Sequence, residues 1–391
     1  MIIKFAILAF LLIFSTIGLA AQETESATSE DAAENAETVK PDGEDEKEEE
    51  KDPNRGRFLV LPFIITEPAI GEGLGVGGVY FHRKPEDDGR RKVTSAKNLQ
   101  KTGRRGKPPP EATGLFAMYT NTETYAYGIG HAGHTPTDKY RYVGVAAGME
   151  VRSTYYENDT PINFTLDGTV VYLHGKRRWG ETNVFIGASM SYLDSTTNFK
   201  IEGGSIGPTV FDFASTDIGM ALSGIYDGRD DTMLPSTGQL YDLTAWKYGD
   251  YIGGDFDYTT AKFKFNTFHK LAEKFVLGFR FEASTANGDV PYYAEPFVSL
   301  RGIPALRYTG ESVGVFEVEG RYDFAAKWSV VAFAGFGLVD ETEFSQTEDD
   351  IKTYGAGVRF QVLKEQNFWL GFDVAQGPEE SAWYIQMGHP W

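Results

Sequence analysis

From Arg57 to Trp391 the chain reads as one strand after another, each with apolar residues at alternate positions and each closed by a turn signal. That period of two marks strands with one apolar face, and no stretch of the span carries a helical period. Sixteen such runs can be drawn, from "FLVLPFIIT" (58–66) to the terminal "WYIQMGHPW". Spread over about 335 residues they leave about 21 per strand plus connection, which suits membrane-crossing spans of about 9–11 residues. In the last run Trp383, Ile385, Met387 and Trp391 share one parity, and Tyr384, Gln386 and Gly388 the other. Soluble domains ordinarily trail off in polar residues, so a strand kept to the last residue predicts a structure that needs it there. The fold class expected is all-β, a sixteen-stranded antiparallel transmembrane barrel spanning 57–391. Backbone in lipid must satisfy every N–H and C=O internally, so the last strand is expected to pair with the first. Trp391 is then expected at the membrane interface as an aromatic anchor.

The remaining segments fit that reading. "MIIKFAILAFLLIFSTIGLAAQ" has one Lys, an apolar run and small residues, the pattern of a cleaved secretory signal over 1–21. A permanent anchor is the competing reading, but the apolar core is short and ends in a cleavage-like site. Residues 22–56 follow as an acidic segment with almost nothing to bury, expected to be disordered in the periplasm. Within it, 22–52 holds 14 acidic and 3 basic side chains, a large part of the net charge of −19. The chain has no Cys, which excludes disulfides, thiolate metal sites and thiol nucleophiles. Polar mean hydropathy with many aromatics is ordinary for a barrel whose strands alternate lipid-facing and lumen-facing residues. The expected location is the outer membrane of a Gram-negative bacterium.

Three stretches resemble the BamA/TamA-type superfamily of outer-membrane proteins, also called bacterial surface antigens. In "DGRDDTMLPSTG", Asp227, Arg229, Asp230, Pro235 and Gly238 match its D-x-R-D…P-x-x-G turn. In "SLRGIP", Leu300, Arg301, Gly302 and Ile303 resemble its V-R-G-F/Y signature. "FEVEGRYDF", "FAGFGLV" and "GFDVAQG…YIQMGHPW" follow in the family's closing order, where Tyr384, Gly388 and Trp391 stand as the C-terminal signal read by barrel assembly machinery. The resemblance implies that the connection carrying Arg301 folds back into the lumen to meet acidic residues. Strand parity offers Glu317 and Glu319 on one strand and Asp373 on another. A guanidinium binds carboxylates through two parallel hydrogen bonds, a pairing suited to a confined lumen. Gly335 departs from the pattern, standing where the family places a carboxylate that helps hold the loop. No POTRA domain fits before the barrel, so client handling does not transfer with the resemblance.

Other features belong to this chain. The connection 84–111 has nine basic and four acidic residues and is expected in the periplasm, where it could associate with the acidic 22–52. It lacks the aromatic interleaving of a nucleic-acid surface, so no nucleic acid is expected. His131 and His134 fall on opposite faces of a strand, which suits no single metal. No G-x-S-x-G elbow is present, and an extended strand holds Ser381 and His389 about 27 Å apart; no enzyme, cofactor or metal is expected. The expected partners are outer-membrane lipid and lipopolysaccharide, the barrel assembly machinery during biogenesis, and a periplasmic or lipoprotein partner. Two functions remain: transport or membrane biogenesis, moving or inserting protein or lipid, or a permanently plugged structural or surface-interaction barrel.

Overall fold

The computed structural model describes residues 57–82, 111–135, 137–157, 160–201, 209–231, 234–340, 351–363, 368–387 and 389–391. The expected signal, the acidic segment, most of the basic connection and Gly388 lie outside them. The strands in order are β1 (Arg57–Glu67), β2 (Gly71–Phe81), β3 (Ala112–Thr120), β4 (Tyr125–His134), β5 (Tyr140–Glu157) and β6 (Thr160–Arg178). Then come β7 (Val184–Ile201), β8 (Thr209–Asp227), β9 (Gly238–Tyr248), β10 (Tyr258–Ala272) and β11 (Phe275–Gly288). The set closes with β12 (Ser312–Ala325), β13 (Trp328–Val339), β14 (Ile351–Leu363), β15 (Phe368–Gln376) and β16 (Ser381–Met387). All sixteen pair antiparallel with their chain neighbours in one sheet, which curls into a nearly closed barrel.

Alternation decides which way each side chain points. On β12, Val313, Val315, Glu317, Glu319 and Arg321 are buried toward the lumen, while Tyr322 is exposed on the outside. Outward positions elsewhere carry Leu74, Leu115, Ile129, Leu222, Leu243 and Leu338, all exposed. Leaving each such side chain in water would cost about 1.5–3 kcal/mol, so this outer wall is built for lipid. Among the described residues no helix is long and apolar enough to cross a membrane.

Three expectations are corrected. β5 to β8 run to 18 or 19 residues, beyond their apolar alternation. At these far ends the outward positions turn polar, as at Asp194 and Thr196, while inward Val151, Phe164 and Leu166 stay buried, so the outer apolar pattern fades as backbone pairing continues. The terminal strand stops at Met387 rather than running to Trp391. Most consequential, no backbone ladder joins β1 to β16 among the described residues, and the sheet order ends at those two strands. The seam is crossed instead by side chains, including Trp383 Nε1 donating to Glu72 Oε1 at 2.8 Å. The rim at which β1 begins is called the near rim below, and the opposite one the far rim.

Candidate functional site

The connection between β11 and β12 leaves the far rim and turns down into the lumen. Phe297 pairs with Thr309, and the Val298 N–H donates to the Tyr308 carbonyl at 2.9 Å, so its two arms form a narrow hairpin. Val298, Leu300 and Ile303 pack with Val313, Val315 and Ile351 in a dry cluster against the wall. Gly335 has a physical reason to be glycine. A Cβ there would lie 2.8 Å from Leu300 Cδ2 and 3.0 Å from the Phe316 carbonyl, so a carboxylate at this position would push against the loop.

Arg301 sits at the tip. Its Nε donates to Glu317 Oε1 at 2.9 Å and its Nη1 to Asp373 Oδ2 at 2.8 Å, while Nη1 also lies 2.9 Å from Glu319 Oε2. The guanidinium centre lies 3.4 Å from the centroid of the Phe333 ring. Burial disfavours its charge, but Glu317, Glu319 and Asp373 outweigh that and raise its pKa. The structure thus brings Arg301 together with Glu317, Glu319 and Asp373 in one buried cluster. Two more cations and a histidine join it. Arg359 on β14 pairs with Asp373, Arg280 on β11 reaches Glu317 Oε2 at 3.4 Å, and His389 Nε2 lies 3.3 Å from Glu319 Oε1. Arg359 was legible in "VRFQ", where a charge stands between outward Val358 and Phe360. His389 was hidden because the tail was read as strand.

Gly302 carries the loop to the seam. Its φ of +93° is a left-handed conformation open to glycine, and its N–H donates to the Tyr384 hydroxyl of β16 at 2.8 Å. Three residues on, the Ala305 amide interacts with the Glu67 carboxylate of β1. Farther out Arg307 Nε donates to Glu379 at 2.8 Å, tying the loop to the β15–β16 turn. The loop therefore touches both strands that fail to pair.

The D-x-R-D turn lies between β8 and β9 at the near rim. Asp227 accepts from Arg229 Nε and Nη2, each at 2.9 Å, and Asp230 Oδ1 accepts the N–H groups of Ser236 at 2.9 Å and Thr237 at 3.1 Å. Gly238 has φ +105°, and a Cβ there would lie 2.8 Å from Arg229 Cα. Arg321 of β12 donates to the Pro235 carbonyl at 3.2 Å and to Ser236 Oγ at 2.9 Å. One strand, β12, thus holds the lumen loop through Glu317 and Glu319 and the near-rim turn through Arg321. A second near-rim tie was not foreseen: Asp138 binds Arg141 at 2.6 Å and also pairs with Arg178. Burial raises the Asp138 carboxyl, but the two arginines outweigh it and hold the group below the usual carboxylate range.

Trp391 is not an interface anchor. It lies inside, its ring 5.8 Å from Phe268 and nearly parallel to it, and 4.4 Å from the ring of His389. Phe268 is buried on the lumen face, so the last residues turn away from the wall and cap the charge cluster. Brominated lipid should therefore quench wild type and Trp391→Phe by the same absolute amount. Trp391→Ala should lower barrel stability by about 2 kcal/mol in thermal unfolding. A quenching loss confined to the variant would return Trp391 to the lipid.

No protein-family model matches the sequence, and no curated protein matches it. Solved structures do. BamA from Haemophilus ducreyi lacking POTRA domains 1-3 is 12% identical with a TM-score of 0.58, over 86% of this chain and 70% of that one. CdiB from Acinetobacter baumannii is 11% identical with a TM-score of 0.52, over 85% and 59%. CdiB from Escherichia coli is 9% identical with a TM-score of 0.52, over 84% and 62%. At these identities the likeness is one of fold, and the chain spans about three fifths of each CdiB chain.

Proposed function

We propose that this chain is a Gram-negative outer-membrane barrel acting in transport or membrane biogenesis, with the β1–β16 seam as its lateral route and the Arg301 loop as the clasp. The observation that carries this is the seam itself: among the described residues no ladder closes it, and the loop spans it through Gly302 to Tyr384 and Ala305 to Glu67. An unpaired edge is costly in lipid and is tolerated where something covers it or where it opens for use. The near rim then faces the periplasm, where a partner would supply client handling. A native pull-down from detergent-solubilised membrane should recover a periplasmic protein or lipoprotein in stoichiometric amount. Recovery of the barrel alone would remove the partner from this reading.

One observation favours a second reading. The loop and the His389–Trp391 tail occupy the lumen together, which also suits a permanently plugged structural or surface-interaction barrel. That reading predicts no conductance change when the clasp is broken. No catalytic residue belongs to either.

A further inference from the structure

We infer that the outward wall of β4 to β8 holds one anionic glycerophospholipid, its phosphate at Lys139 and Arg177 and an acyl chain in the groove beside them. The inference rests on the membrane reading above but lies away from the seam and does not depend on the clasp.

The groove has a volume of about 540 Å³ and is lined by Tyr142, Gly144, Leu173, Gly175, Ala188 and Met190, among others. Its floor comes from register. Tyr142 stands opposite Gly175 on β6, and Gly175 stands opposite Ala188 on β7. A Cβ at Gly175 would meet nothing within 4 Å, so the depression is real space on a wall whose neighbours Leu173 and Met190 project outward. Two residues nearer the rim, Tyr140 pairs with Arg177 on the same outward face. The Arg177 guanidinium lies 5.9 Å from the Tyr140 ring centroid, and Lys139 Nζ lies 5.7 Å from it.

Charge points to the occupant. Both cations are exposed, and neither forms an ion pair among the described residues. Their neighbours Arg141 and Arg178, pointing into the lumen, are both spent on Asp138. On the flank beside Gly144, His131 shares a hydrogen bond with Thr113 Oγ1 at 2.8 Å and lies 3.7 Å from Glu111, so that carboxylate already has a neighbour. Two unpaired cations astride an interfacial tyrosine, at the foot of an apolar groove in a lipid-facing wall, fit a phosphate with a chain attached. Arginine offers it a planar fork and lysine a point charge. At the near rim the available anionic lipid is a phospholipid of the periplasmic leaflet rather than lipid A.

The test is native mass spectrometry of the full chain, purified in detergent and exposed to equimolar phosphatidylglycerol and phosphatidylethanolamine, with a parallel arm in lipid A. Wild type should retain one phosphatidylglycerol, favoured about tenfold. The double variant Lys139→Gln/Arg177→Gln should lose that preference. Gly175→Leu, which fills open space, should reduce retention of both phospholipids while the barrel keeps its heat-shifted gel mobility. Equal retention by wild type and the double variant, no retained lipid in wild type, or a preference for lipid A would each overturn the site. A chain that fails to insert into vesicles would instead sink the membrane reading.

Discussion

Replacing Arg301 with alanine should cost the barrel about 3–5 kcal/mol and release the loop from the lumen. Glu317, Glu319 and Asp373 are each 2% exposed or less, and all three are within reach of this one guanidinium. Removing it leaves their charge to Arg359 and Arg280, which already have partners in Asp373 and Glu282. Leaving a carboxylate buried and under-paired is what makes the loss large; the ion pair's own net worth is smaller. Arg301→Lys keeps the charge without the fork and should lose roughly half as much. Adding Glu317→Gln to Arg301→Ala should recover part of the loss, because the two groups share one network and their effects do not add. Thermal unfolding followed by gel mobility reads the stability, and planar-bilayer recording reads the lumen. Conductance should rise in the alanine variant. If both measurements match wild type, the cluster does not hold the loop and the clasp reading falls.

How far the sequence could lead depended on the kind of information each element needs. The sixteen strands and the inward facing of Glu317, Glu319 and Asp373 follow from parity, which is local and survives any error in tertiary placement. The loop's destination came from resemblance alone; nothing within "SLRGIP" says that Arg301 turns inward. Gly335 looked like a missing partner, and only the packed position of Leu300 shows why a side chain is excluded there. The tail failed for a physical reason. Trp383 and Ile385 continue the outward apolar parity of β16, and Trp391 shares it, but the chain leaves the wall after Met387, so parity no longer reports direction. Closure failed likewise. Pairing of the last strand with the first is the lowest-energy choice for an ordinary barrel, and a seam spanned by a loop departs from that rule at a place suited to use.

Amide hydrogen exchange should set β1 and β16 apart from every central strand. The amides of β12 and β13 are locked between two neighbours, so their exchange requires opening that approaches global unfolding. Among the described residues β1 pairs only with β2, and β16 only with β15, so half of the backbone groups on each face a seam without a ladder. Global stability of about 5 kcal/mol or more against an edge that needs almost no opening predicts at least about a thousandfold faster exchange at the edge. Because the chain has no Cys, Trp383→Cys and Glu72→Cys can be joined by a short cleavable bis-thiol reagent without side reactions. Both native side chains are long, so a linker suits the gap better than a direct disulfide. Cross-linking should slow exchange in β16 at least tenfold, and cleavage should restore it. Arg301→Ala should act in the opposite direction, since Gly302 and Ala305 lose their placement against Tyr384 and Glu67. Exchange in β1 as slow as in β12 would mean that the seam is shut in solution. The lateral route would then be lost, leaving the plugged barrel as the better account.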